Sequence, residues 1–574
     1  MLDPTRIAIV ATAAILIASC APSAPATSRE QTGAPASDRT LVMSIEREPN
    51  YISPLAPIAG LAATDFYQRM FSAFLDYYDD QGRPQPYLAE ALPELNTDTW
   101  TVDPDGRMET RYHLKPNLTW HDGAPLTADD IAFMFQVATP ANGFRTGVPP
   151  YNMMDSVSAP DDRTLIVSWK SVYPGAGVLM LGGGSTRFGL VPLPRHILDP
   201  TFRDAGPEAI QDSAYWSREF VGSGPFKLDR WELGSYIEAV AFDQHVLGRP
   251  KINRVRLVFT PDPNTAFAGL LSGETQVSLN SITFDHVLQL RREWAGNNAG
   301  TAGITTVSIT VALFQAKPEY ASPRAVRDVR VRQALAHGVD KQTLNETIWG
   351  GLLTPLDSIF DPAADYYPAI DRAIAKYPFD PRASERLMSE AGYVKGPDGF
   401  FADPVEGKLT FDWEFGQNRP EASVIAAGWR TAGFDIQEHP LSQALAIDAE
   451  VNSSFSAIND KTSAAEENQQ MTLYRSSEVS SPETRWRGEN RGGWTSQEYD
   501  RLVQAFQSTL DPSERVRQRA AIARILTTEL PSVVLSFNPN THAYLSSVRG
   551  IVPTGLNTTG RLTWNIERWE LAAG

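Results

Sequence analysis

The chain has 574 residues, 42% hydrophobic and 21% charged, which suits ordinary globular cores and excludes a wholly disordered polymer. With 68 acidic against 51 basic side chains, a formal charge of −17, it has no net field to attract nucleic acid or an anionic membrane surface, and a mean hydropathy of −0.27 excludes a polytopic membrane protein. One cysteine excludes a disulfide framework, a Cys-ligated zinc ribbon and an iron–sulfur cluster, while the length suggests about three domains.

The N-terminus carries the first signal. Met1–Arg6 is mostly polar, and Ile7–Ile17 is apolar apart from Thr12. That run is too short to span a bilayer but fits the core of a signal peptide. It ends in Ile17-Ala18-Ser19-Cys20, which resembles the lipobox of bacterial lipoproteins: an aliphatic residue, two small ones, then the cysteine that is acylated. Asp3 departs from the usual cationic start, because it offsets Arg6. The expectation is a signal peptide over 1–19, a lipid anchor on Cys20, and a tether over 20–39. That tether is mostly Ala, Pro, Ser, Thr and Gly and cannot bury enough surface to fold.

The body begins with a strand at Leu41–Ile45. Helical spacing over Asp65–Tyr77 places Phe66, Met70, Phe71 and Phe74 on one face. Met108–Leu114 alternates as a strand, with Met108, Thr110, Tyr112 and Leu114 on one side. Thr127 is a fit N-cap for a helix over Ala128–Gln136, with Asp129 and Asp130 in the first turn, where the helix dipole favours them. Lys251–Phe259 is a strand and Asn264–Leu271 a helix. Asp328–Trp349 reads as helix, interrupted near Gly338 and closed by Gly350-Gly351. Ser384–Ala391 is a helix, Leu409–Phe415 a strand, Glu421–Thr431 a helix and Gly433–Ile436 a strand. Helices over Glu498–Leu510 and Pro512–Leu530 precede a strand over Ser532–Phe537. This irregular mixture is α/β, in more than one lobe, with discontinuous domains.

Chemistry-bearing patterns are few. The eight histidines form no HExxH or i, i+4 pair, so no metal site is expected. His121-Asp122-Gly123 reads as a tight turn with Gly123 at positive φ rather than a His–Asp dyad. Gly182–Thr186 resembles half a phosphate loop but lacks the lysine, and reads as a glycine loop. Gly222-Ser223-Gly224-Pro225 is no nucleophile elbow. The paired acids Asp129-Asp130 and Glu466-Glu467 have no visible base partner. No catalytic residue and no cofactor is expected.

Six segments, in order, resemble the extracytoplasmic solute-binding proteins of peptide-type ABC transporters, the oligopeptide and dipeptide-binding family (solute-binding family 5). They are Tyr112–Lys115 with Trp120–Gly123 and Pro125–Ile131; Val221–Leu228 with Trp231 and Gly234; Gly269–Glu274, with Gln276 where Asp is usual; Val331–Asp340; Tyr377–Pro381 with Ala391–Tyr393; and Trp494–Leu502 with Pro531. Together they span roughly residues 41 to 565. Most are strand ends, caps and packing helices, so they identify a scaffold rather than a reaction.

The resemblance implies a periplasmic-binding-protein-like type II fold, α/β, with two hinged lobes and an extra subdomain. Lobe I would be discontinuous (40–72, 219–305 and 533–574), the subdomain 73–218, and lobe II 306–532. It implies no enzymatic activity, a monomer, no nucleic-acid partner and no metal. The partners are a peptide or other small solute and an ABC permease with its ATPase. The place is extracytoplasmic (periplasm or outer face of the cell membrane), with a lipid anchor through Cys20. Alternatives are the same scaffold holding an oligosaccharide, an opine or a metal chelate, or acting as an extracytoplasmic sensor. By segment position, Glu48, Tyr51 and Asn280 would face the ligand from lobe I. Trp413 would face it from the strand that lines lobe II, and Phe537 from near the returning strand. The family's aromatic–Asp-Pro loop is missing from Phe455–Glu466, where Asp460 or Glu466 either substitutes for its acid or is solvated. Arg475 either meets a ligand carboxylate or is a surface arginine.

Overall fold

The strand signals assemble into one mixed ten-stranded sheet, in a computed structural model that describes residues 40–53, 67–138, 150–179, 189–206, 208–211, 213–362, 364–405, 407–417, 419–464, 467–553 and 561–572. These residues belong to a compact unit, Arg39–Gly574. The signal-peptide segment, Cys20, the tether, the glycine loop Gly182–Thr186 and Glu466 lie outside the described residues.

In chain order, β1 is Thr40–Ile45, β2 Trp100–Val102 and β3 Met108–His113. Helix α1 is Ala128–Val137, followed by β4 (Met154–Asp161) and β5 (Thr164–Trp169). Next come β6 (Phe226–Glu232), β7 (Tyr236–Ala241), β8 (Arg254–Phe259), α2 (Pro263–Ser272), β9 (Val277–Ser278) and α3 (Phe284–Trp294). The long strand β10 is Gly300–Phe314, followed by α4 (Val329–His337), α5 (Lys341–Trp349) and α6 (Pro381–Glu390). Then follow β11 (Thr410–Gly416), α7 (Ala422–Ala432), β12 (Asp435–Leu441) and β13 (Ile458–Ala464). The chain closes its main body with α8 (Gln497–Ser508), α9 (Pro512–Glu529) and β14 (Ser532–Leu545).

The large sheet has the order β12-β11-β13-β10-β14-β9-β1-β8-β7-β6, and β2-β3-β5-β4 form a separate four-stranded sheet. β10 and β14 are antiparallel over nearly their whole lengths, with register shifts at Thr306/Ser308 and Thr310/Val311. Apolar packing divides along these two strands. Leu41, Met43 and Val255 share one core with the four-stranded sheet, while Ala302 and Ala543 sit in a small core with α2 and α3. Beyond the middle of both strands, Ala312 and Val533 join one core under α4 and α7, and Ile309 and Phe537 join another under α8 and α9.

Local signals mostly hold. Thr127 and Asp130 form a reciprocal capping box on α1, and Gly338 separates α4 from α5, with Gly350 left-handed at the end. Gly123 has φ 90°, and its N–H donates to the Trp120 carbonyl at 2.9 Å, as the turn reading requires. The predicted helix over Asp65–Tyr77 needs correction. Asp65 and Phe66 lie outside the described residues; among the described ones only Gln68–Phe71 is helical, Ser72 is extended, and Asp76–Tyr78 is a strand. Met70, Phe71 and Phe74 are nonetheless buried. The turn is broken because Gly224 N and Ser223 N both donate to the Phe71 carbonyl. That approach is possible only with glycine: a Cβ on Gly222 would stand 2.0 Å from Phe71 O.

Candidate functional site

The β1 end is stitched to its neighbours by polar groups. Asn280, just past β9, accepts the Glu46 N–H through Oδ1 at 3.0 Å, and Ser281 hydroxyl meets Ser44 at 2.6 Å and Ser278 at 2.9 Å. Glu48 follows, half-buried, and accepts Trp231 Nε1–H at 2.7 Å and the Gly234 N–H at 2.9 Å. Its carboxylate therefore clamps the β6–β7 hairpin to the loop after β1. Tyr51, also half-buried, packs on the first core, and its carbonyl accepts the Tyr67 hydroxyl at 3.4 Å. The structure thus brings Glu48, Tyr51 and Asn280 to one end of β1.

The side chains expected from the other half divide differently. Trp413 on β11 is 0% exposed; its ring crosses Trp429 at 5.0 Å and 86°. Phe537 is 4% exposed within the core under α8 and α9. Both are packing residues and offer no open surface to a ligand. Asp460 on β13 is buried, accepts Trp413 Nε1–H at 2.8 Å, and stands 3.2 Å from Arg419. Arg419 also approaches Glu421 at 2.8 Å, so two carboxylates share one guanidinium. Burial pushes the Asp460 carboxyl up to about 7, against the pull of Arg419 and the Trp413 hydrogen bond. Arg475 is half-buried beside α8, and its Nε has no hydrogen-bond partner among the described residues.

Arg419 is the residue that sequence reasoning missed. With Phe415, Pro420, Ala422, Ser423, Glu438 and Pro440 it lines a shallow, open surface hollow, and it reaches Asp460 from there. The nearest local feature is the Arg419-Pro420 pair, four residues past the predicted strand Leu409–Phe415. Two buried lysines also escaped notice. Lys461 donates to Glu489 Oε2 at 2.7 Å and to the Glu489 carbonyl at 3.0 Å, and desolvation lowers its ammonium to about 8. Lys317 donates to the Ser453 and Ser480 carbonyls between the Tyr320 and Trp486 rings, and burial likewise lowers it to about 8.

The histidine of the 121–123 turn has a structural task. Nε2 donates to the Gly224 carbonyl at 2.9 Å, and Nδ1 accepts the Gly222 N–H at 3.2 Å. This fixes one neutral tautomer, and burial lowers its pKa to about 4. Asp122 instead meets His196 Nε2 at 2.7 Å. Among the described residues no cluster of three His, Cys, Asp or Glu side chains is placed to hold a metal ion. None of their helices is long and apolar enough to cross a membrane.

Residues 90–481 match the model of a family described as bacterial extracellular solute-binding proteins, family 5 Middle. A putative ABC transporter peptide-binding protein of Brucella ovis is 28% identical over 342 residues, and the match covers 58% of each chain. The oligopeptide-binding protein AppA of Bacillus subtilis is 24% identical over 570 residues, covering 97% of each chain. Among solved structures, NikZ from Campylobacter jejuni, in complex with Ni(L-His), superposes with a TM-score of 0.69 at 20% identity, covering 92% of this chain and 99% of that one. The fold is therefore the α/β type II arrangement of the periplasmic binding proteins, as the motif order implied.

Proposed function

We propose that this chain, which belongs to the bacterial extracellular solute-binding proteins of family 5, is the substrate-binding component of an ABC import system and captures peptides in a cleft between two lobes. The observation that carries this reading is the division of the apolar packing along β10 and β14. The core that holds Leu41 and Val255 is separate from those that hold Ala312 and Ile309, which supports a lobe I (40–72, 219–305 and 533–574) and a lobe II (306–532) with Val533–Phe537 packed on lobe II; β10 and β14, which pass between the cores, would be the hinge. The proposed subdomain, 73–218, is supported by the separate four-stranded sheet, whose buried residues share the core of lobe I. Such lobes close as rigid bodies about a few residues, and a ligand that touches both binds the closed form better and shifts the population toward it. The closed form is what a membrane permease and its ATPase recognise.

Names of relatives support a peptide: the Brucella and Bacillus proteins are called peptide-binding and oligopeptide-binding. Glu48, Tyr51 and Asn280 present lobe I to the ligand; Asp460, with Arg419, and Arg475 present lobe II. Glu466 completes the set by position. Trp413 supports the site from behind, by orienting the Asp460 carboxyl. The chain acts as a monomer, performs no bond chemistry, and is held outside the cytoplasm by lipid on Cys20. A second reading, a nickel–histidine chelate, is favoured by the likeness to NikZ. No cluster of metal-ligating side chains among the described residues supports direct ligation, so the metal would be carried inside its chelate.

A thermal-shift screen of residues 40–574 against di- to hexapeptides, oligosaccharides and nickel–histidine separates these readings. A ligand at one hundred times its Kd stabilises the native state by about 2.7 kcal/mol, which for a body of this size raises Tm by about 2 °C. Peptides should give that shift. A shift with sugar or chelate alone rejects the peptide reading, and hydrolysis of the peptides rejects pure binding.

A further inference from the structure

Two contacts outside β10 and β14 cross between lobe I and lobe II as divided above. The first joins α3 of lobe I to the end of α5 in lobe II. α3 is apolar on two faces. Val287, Leu290 and Trp294 lie in the small core with Ala302 and Ala543, whereas Phe284 and Leu288, one helical turn apart, lie outside it. Their partner is Trp349, the last residue of α5. Its ring stands edge-on to Phe284, with centroids 5.1 Å apart and planes at 85°. Gly350 follows in the left-handed region, and a Cβ there would stand 3.0 Å from Leu288 Cδ2. The glycine that ends α5 therefore also lets Leu288 approach. The second contact is Leu510, in the turn between α8 and α9, which packs against the core that holds Leu41 and Val255.

Trp349 is 9% exposed yet belongs to none of the four apolar cores. Part of its cover comes from α3, on the other lobe. Its indole Nε1–H is sealed and has no hydrogen-bond partner among the described residues. Buried polar groups almost always have partners, so this one needs an explanation. The apolar ring favours the contact, and the stranded donor opposes it. Water satisfies the N–H once the lobes part and the ring is uncovered. Both effects therefore change together when the lobes move, as a two-state element requires.

We propose that Trp349, seated against Phe284 and Leu288, is an interlobe latch: seated when the lobes are closed, free when they are open. Its unpaired N–H keeps the closed arrangement from dominating before ligand arrives. This rests on the two-lobe reading above. The apparent Kd is the closed-form Kd divided by the fraction closed, so the strength of this contact sets affinity without touching the ligand.

The test places nitroxide labels at Leu233→Cys and Val405→Cys, which are 61% and 93% exposed on lobe I and lobe II. The full-length chain, with Cys20→Ser so that only the introduced thiols react, is purified in detergent. Electron–electron distance distributions are recorded with and without a pool of randomised tri- to hexapeptides, in this background and with Trp349→Phe or Leu288→Asp added. Trp349→Phe keeps an aromatic ring and removes the stranded donor. It should shift the ligand-free distribution in the sense that peptide does, and tighten apparent peptide affinity by about 3- to 10-fold. Leu288→Asp sets a carboxylate against the indole, and should shift the distribution the other way and weaken affinity by about 10-fold. Shifts in the same sense, or a variant that moves nothing while peptide does, overturn the latch and leave the two lobes standing. One distance that neither peptide nor either variant changes overturns the two-lobe reading as well. Opposite shifts in a protein that ignores peptide keep the latch and reject the peptide.

Discussion

Replacing Asp460 by Asn should make the protein more stable at alkaline pH and leave it nearly unchanged in acid. Asp460 and Glu421 compete for the one Arg419 guanidinium, and Asp460 is buried with its carboxyl pushed from 3.8 up to about 7. A carboxyl whose pKa is raised by folding is bound to a proton in the native state while the unfolded chain has released it. Stability from this group is thus greatest below about pH 4 and falls as pH rises toward 7. At about 1.4 kcal/mol per pKa unit, the cost at pH 8 reaches roughly 4 kcal/mol as an upper bound. Asparagine keeps the Oδ1 acceptor for Trp413 Nε1–H and leaves Arg419 paired with Glu421 alone, so a gain of about 1–3 kcal/mol at pH 8 is expected. Urea unfolding of both forms at pH 4 and pH 8 reads this directly. An equal loss at both pH values would show that Asp460 is a stabilising, fully ionised partner of Arg419, and the argument from burial would fail.

Other consequences follow from single contacts. Gly222→Ala brings a Cβ to 2.0 Å from the Phe71 carbonyl and should cost about 3 kcal/mol, whereas Gly234→Ala, at φ 72° with open space around it, should cost only about 1 kcal/mol. Equal shifts in melting temperature would remove the close-approach explanation. Glu48→Ala strands the Trp231 indole N–H and should cost about 2 kcal/mol in urea, while Glu48→Gln, which keeps an acceptor, should recover most of that. Cys20→Ala should move the protein from membranes to the soluble fraction; retention there means the anchor lies elsewhere.

Scaffold elements were legible where local chemistry and burial agree. The Thr127–Asp130 capping box, the Gly338 break and the alternation of Met108–Leu114 all mark the elements that form. Asp65–Tyr77 misled because Met70, Phe71 and Phe74 are buried at near-helical spacing, yet long-range bonds from Ser223 and Gly224 take the chain out of the helix. β14 was read only to Phe537 because its second half carries Asn540, Thr541 and His542, polar residues that look like loop. They are strand because β10 supplies their pairing. The site was less legible still. Trp413 resembles an exposed aromatic wall until Trp429 and Phe415 are packed on it. Arg419 joins Asp460 from a distant segment, with no local spacing to announce the pair.

The central claim is that the two lobes enclose one peptide without altering it. Titration calorimetry of the residue 40–574 protein, with the peptide that shifts Tm most, tests it most directly, with mass spectrometry of the cell contents afterwards. One saturable site per chain, a negative heat-capacity change from buried apolar surface, and an intact peptide are expected. No binding heat with any peptide, saturable binding of nickel–histidine instead, or cleaved peptide at the end of the titration would contradict it.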